Sequence, residues 1–118
     1  MQYQSDYVLR LIEQMGSLIR RAMEKVGVGE AEEPYELCQE ALGLALDIDP
    51  DTTIRLSPTT LVSLIEMSNA DDRVIALIAE ALEIEAEALE HAGEVLDAQT
   101  RHQQAQAVRA MLGPSHAN

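Results

Sequence analysis

The chain has 118 residues and carries eight bases against 21 acids, a net charge of −13. Its length suits one domain that can bury a core without a metal or a disulfide, and a single cysteine, Cys38, excludes an internal disulfide. A surface this acidic repels phosphate, so binding DNA or RNA through a basic patch is not expected.

Apolar residues make up 47% of the chain, yet it holds no Phe, no Trp and three Tyr. Leu, Ala, Ile, Glu and Met dominate, and all are adequate helix formers. No stretch alternates with period two for long, so the predicted fold class is all-α. The opening MQYQSDYVLR lacks the basic start and the apolar run of a signal peptide. No apolar run approaches the ~18 residues that span a bilayer. These features predict a soluble, cytoplasmic protein that does not use a membrane. Charge is uneven along the chain: +1 over 1–26, −16 over 27–97 and +2 over 98–118.

The first predicted helix covers 7–26, with Asp6 as its cap. Val8, Ile12, Met15, Ile19, Ala22 and Val26 recur at four-three spacing and form a heptad-like seam, widened by Leu11 and Leu18. Arg10, Arg20, Arg21 and Lys25 flank it. Gly27-Val28-Gly29 ends it, and an acidic linker follows at 30–33. Pro34 suits the first turn of a second helix, predicted to run to Ile48. Its inward seam is Tyr35, Cys38, Leu42 and Ala45. Asp49-Pro50-Asp51 is read as its stop, because proline disfavours helix in the residue before it. Residues 52–57 are then a connector.

Ser57-Pro58 pairs a cap with proline at the first helical position, and predicts a short third helix to Met67. Ser68-Asn69-Ala70-Asp71 breaks it. A fourth helix over 72–92 has a wide apolar face: Val74, Leu77, Ile78, Ala81, Leu82, Ile84, Ala88 and Leu89. Gly93 punctuates the chain. A more polar fifth helix covers 94–112, with Val95, Ala98, Ala105, Val108 and Leu112 as its apolar set. Residues 113–118 are predicted to be a mobile tail.

An internal echo links two of these helices. Ala45-Leu46-Asp47-Ile48-Asp49 returns as Ala81-Leu82-Glu83-Ile84-Glu85, 36 residues later. A period near this length belongs to tetratricopeptide (TPR) units. The segment from Tyr35 to Pro50 resembles the closing helix of such a repeat, with an alanine-leucine pair before an acid and a proline. The second copy lacks the proline, so the repeat is degenerate. The opening Asp6-Tyr7-Val8-Leu9-Arg10-Leu11-Ile12-Glu13-Gln14 resembles the start of an uncharacterised family of small bacterial proteins. Those chains begin with a D-Y-x-x-R-x-I-E-Q helix and continue into TPR-like hairpins. The order of elements agrees over most of 5–112. The resemblance implies a TPR-like fold and a bacterial source, and it implies no activity.

The residues offer little for catalysis. An EF-hand loop starting at Asp47 needs glycine at its sixth position and glutamate at its last, where Thr52 and Pro58 stand. The aspartates of ALDIDPD therefore read as a solvated helix end. No G-x-S-x-G occurs, and no histidine stands in an evident relation to Ser17, Ser57, Ser63 or Ser68. Cys38, on an inward seam, reads as a small core residue. Gly27-Val28-Gly29 follows a helix and lacks a third glycine at Glu32, so it is a turn and not a nucleotide fingerprint.

The fourth helix carries the stronger pattern. Glu80, Glu83, Glu87, Glu90, Glu94 and Asp97 recur at three- and four-residue spacing, and on one continuous helix they form one acidic stripe, with Arg73 and Arg101 at its ends. Neighbouring like charges at this spacing cost ~0.2–0.5 kcal/mol per pair, which core packing easily offsets. The plain alternative is a solvated helix face. Helical di-iron sites place glutamate three residues before histidine. The positions three before His91, His102 and His116 are Ala88, Gln99 and Gly113, so none fits, although Glu87 and His91 form a weaker pair.

The first helix must cover its seam somewhere. It packs into its own body or onto a second chain, with the balance toward a dimer of either kind. Lying on an anionic membrane is a distant third, with only four bases to support it.

The sequence thus predicts one all-α domain over 1–112, of about five helices in TPR-like antiparallel hairpins. Residues 1–26 form a docking or dimerisation helix, with Val8, Arg10, Ile12, Met15, Ile19 and Arg20 as its contacts, and 34–112 form the body. The expected role is a non-catalytic interaction or scaffold module without cofactor or metal. Glu80, Glu83, Glu87, Glu90, Glu94 and Asp97 would receive a basic or helical protein partner. The alternative is a small metal-dependent or enzymatic protein using Glu87, Glu90, His91 and Glu94. A third reading, an acidic mimic of DNA, requires a basic partner that the sequence does not reveal.

Overall fold

The seams predicted from spacing do become helices, and their boundaries follow local capping chemistry. The computed structural model describes residues 2–113. Six helices are present: α1 (Gln2–Gly27), α2 (Glu32–Leu46), α3 (Pro50–Thr53), α4 (Pro58–Ser68), α5 (Asp72–His91) and α6 (Val95–Ala110). No strand occurs among the described residues, and the fold is all-α. The predicted tail lies outside them beyond Gly113.

α1 begins at Gln2, so Asp6 lies inside it and not at its cap. Neither glycine nor proline interrupts residues 2–6, so nothing stops the helix from extending upstream. Its seam is decisive for the position of the whole helix. Met15, Ile19, Ala22 and Val26 are all buried, while Val8, Leu11 and Ile12 are half-buried. The helix packs on α2 and α5 of the same chain. Met15 and Ile19, expected among the docking contacts, are therefore core residues with nothing left to present to a partner. Each such aliphatic side chain contributes about 1.5–3 kcal/mol by leaving water.

The stretch ALDIDPD does more than stop a helix. α2 ends at Leu46, short of the predicted Ile48. Asp47 adopts the left-handed conformation at φ 55°, and its N–H donates to the Gly43 carbonyl at 3.1 Å. Asp49 is extended, and its carboxylate accepts from the Asp51 N–H at 3.1 Å. Pro50 then opens α3, where its fixed φ is already helical and its missing N–H is not needed. Two of the six residues of the predicted connector, Thr52 and Thr53, are thus helical. Thr53 is fully buried, and its hydroxyl donates to the Pro50 carbonyl at 2.7 Å.

α4 starts as expected, with Ser57 accepting from the Thr60 N–H at 3.1 Å and Pro58 at the first position. It ends at Asn69, whose φ of 55° is tolerable for a short polar side chain. Asp71 caps α5 by accepting from the Arg73 N–H at 2.8 Å. Short connections fold α1 on α2 and α5 on α6 as antiparallel hairpins. α5 is the central helix, in contact with α1, α2 and α6, while α4 packs on α6.

Candidate functional site

The acidic stripe divides at a turn. α5 ends at His91, and Gly93 turns the chain at φ 81°, a conformation that costs glycine nothing. Glu80, Glu83, Glu87 and Glu90 lie on α5, while Glu94 precedes α6 and Asp97 sits in its first turn. Glu80 and Glu83 are half-buried; the other four are exposed. From α6, His102 reaches back between two of them. Its Nδ1 lies 3.4 Å from Glu83 Oε1 and its Nε2 3.3 Å from Glu90 Oε2. His91 Nε2 lies 3.9 Å from Glu87. Among the described residues, no Lys or Arg forms an ion pair with any of the six acids.

Arg101 is the base expected at the end of the stripe. It is not there. Its side chain is fully buried, with Nε 2.7 Å from Oε1 of Glu85, itself fully buried. The contact is close but poorly aligned, and both Glu85 oxygens lack a well-directed hydrogen-bond donor from the protein. Arg101 Nη1 donates to Gln104 Oε1 at 2.7 Å. The Gln104 amide donates in turn to the carbonyls of Thr53 at 2.8 Å and Leu56 at 2.9 Å. A polar centre thus ties α5, α6 and the turn after α3 together.

Burial of this centre shifts its acids. The Glu85 carboxyl is pushed up to about 7, because desolvation outweighs the attraction of Arg101; Asp51 adds a smaller push. Burial, and then the charge of Glu85, raises the Cys38 thiol well above its ordinary range. Cys38 therefore stays a protonated core side chain and not a nucleophile. Burial also raises the Tyr35 phenol, with Glu85 adding to it. Its hydroxyl accepts from the Gln39 amide at 2.9 Å.

Glu85, Arg101 and Gln104 are the residues that the spacing argument overlooked, although a signal existed. Ile78, Leu82, Glu85 and Leu89 follow at four-three-four spacing, so Glu85 stands on the apolar seam of α5. Ala98, Arg101, Ala105 and Val108 follow at three-four-three spacing and put Arg101 on the apolar seam of α6. Opposite charges on the facing seams of one hairpin announce a buried pair.

A groove of about 420 Å³ opens between the first turns of α2 and the last turn of α5, lined by Ala31, Glu32, Tyr35, Glu36, Ala88, Leu89 and Ala92. A second, of about 270 Å³, lies between α1 and α2, lined by Tyr7, Arg10, Leu11, Gln14 and Leu44. Of the expected docking contacts on α1, Arg10 and Arg20 are exposed and Val8 and Ile12 are half-buried. Glu87, Glu90, His91 and Glu94 are not brought into a ligand cluster. Among the described residues, no three His, Cys, Asp or Glu side chains are grouped to hold a metal ion, and no helix is long and apolar enough to cross a membrane.

No protein-family model matches the chain, and no curated protein or solved structure matches it either.

Proposed function

We propose that the chain is a non-catalytic interaction module of TPR-like helical hairpins whose acidic α5–α6 edge receives a basic or helical protein partner. One observation carries this reading. Arg101, the base of α6 nearest the acids, is spent on Glu85 inside the core, so among the described residues no Lys or Arg pairs with the stripe. The acids of this edge are left facing water beside two histidines. Such a concentration of one sign attracts an oppositely charged partner and speeds its encounter. The resemblance of residues 6–14 to small bacterial TPR-like proteins agrees with a cytoplasmic module of this kind.

The test is capture from a native cell extract with the intact chain and with a Glu83→Lys, Glu87→Lys, Glu90→Lys variant. The reading expects a partner held by the first and released by the second. Equal recovery by both forms counts against it.

A further inference from the structure

We infer that the groove between α2 and α5 is a docking site for a basic amphipathic helix; this rests on the interaction reading and assigns it a second surface and a partner chemistry. The floor is apolar and shallow. Ala88 and Ala92 are small, Tyr35 and Leu89 are half-buried, and together they leave room for inserted side chains. A volume of about 420 Å³ falls within the ~300–1,000 Å³ of side-chain and ligand pockets. It is too small for a whole helix and suits the anchors of one. Val95 and Leu96, which follow Ala92 past the α5–α6 turn, are apolar and 60% and 78% exposed. Two helices form the walls and no strand edge is on offer among the described residues, so a partner helix laid along them is the fitting geometry.

The rim decides the charge of the occupant. Glu32 and Glu36 line the groove, and Glu30 and Glu33 line the hollow beside it. Among the described residues, one base forms an ion pair with these acids: Lys25 lies 3.7 Å from Glu33. No base lines the groove itself. Covering these carboxylates with a neutral partner strips their water without return, and an acidic partner adds repulsion. Lys or Arg flanking the apolar anchors supplies the missing counter-charge. A second copy of this chain is a poor occupant, because its net charge of −13 opposes its approach.

The probe is a synthetic leucine-lysine peptide with helical amphipathic spacing, titrated into the isotope-labelled full chain and followed by amide shifts. Two comparison peptides keep the length: one scrambles the order to remove the amphipathic face, and one replaces lysine by glutamate. The inference expects shifts clustered at Ala31 to Glu36 and Ala88 to Leu96 with the first peptide alone. It expects Glu32→Lys with Glu36→Lys to weaken binding about ten-fold or more. Glu13→Lys with Glu66→Lys changes the net charge equally on exposed residues elsewhere and leaves binding nearly intact. Helical circular dichroism checks that each variant is folded. Equal weakening by both pairs, equal binding of the scrambled peptide, or no binding overturns the site. Shifts confined to Glu83, Glu87 and Glu90 also overturn it, while leaving the interaction reading standing.

Discussion

The two hairpins of this molecule are closed by different chemistry. Where α1 packs on α2 the buried side chains are apolar: Met15, Leu18, Ile19, Ala22 and Val26 on one helix, Leu37, Cys38, Ala41 and Leu42 on the other. Between α5 and α6, Glu85 pairs with Arg101 and Arg101 with Gln104, and all three are fully buried. Apolar contact is non-directional, so the first hairpin gains stability from area and shape. The second puts charge where charge is expensive, and its net stability gain is correspondingly small. What it adds is a strong penalty on alternatives. Sliding α6 by one residue turns Arg101 away from Glu85 by about 100° and leaves two buried charges alone. Gln104 extends the same constraint to the carbonyls of Thr53 and Leu56, so the turn between α3 and α4 is positioned by α6.

That contrast can be broken most severely at Arg101. Arg101→Met leaves Glu85 buried without its counter-charge, and should cost about 3–5 kcal/mol of unfolding free energy in urea at pH 8. Adding Glu85→Leu to that variant should restore most of the loss or exceed the parent, because a packed apolar pair carries no desolvation cost. A double variant no better than the single one would show that the pair is worth more than its burial penalty. In the aliphatic hairpin, Leu42→Ala should cost about 2–5 kcal/mol, since it opens a cavity that the buried neighbours only partly fill. No second change at a single partner should rescue it, which separates packing from pairing.

The pH dependence sharpens the comparison further and is the smallest of the three effects. Glu85 titrates at about 7 in the folded chain against an ordinary 4.5. The folded state therefore holds a proton that the unfolded state has released. Stability from this group is complete below the ordinary value and is lost as pH rises through about 7. Glu85→Gln keeps the neutral form at every pH. Its stability relative to the parent should improve by on the order of 2–3 kcal/mol between pH 4 and pH 8. A constant difference across that range would mean that Glu85 keeps its ordinary value in the folded chain. Leu42→Ala should show no such drift relative to the parent.

Most helices were legible because their apolar residues recur at helical spacing and their ends carry strong local signals. Ser57-Pro58 opens α4 for reasons contained in two residues. ALDIDPD was legible only in part. Asp47 closes α2 in the left-handed conformation and the Asp49 side chain caps α3, but Pro50 begins a helix where a stop was expected. A proline preceded by a capping aspartate serves both purposes, and the spacing of apolar residues does not separate them over a four-residue helix. The acidic stripe was legible as a pattern, while its division at Gly93 depends on a backbone conformation.

By itself, the sequence determined an all-α chain, the seam of nearly every long helix, the caps of α4 and α5 and a strongly acidic middle. These are local properties, set within a few residues by periodicity and hydrogen-bonding side chains. Only the tertiary structure decided that Met15 and Ile19 serve this chain's own core, that Arg101 leaves the surface for Glu85, and that the ends of α2 and α5 meet in an apolar groove. Each depends on which faces of separate helices come together, and burial, which controls both packing and charge, exists only once they do.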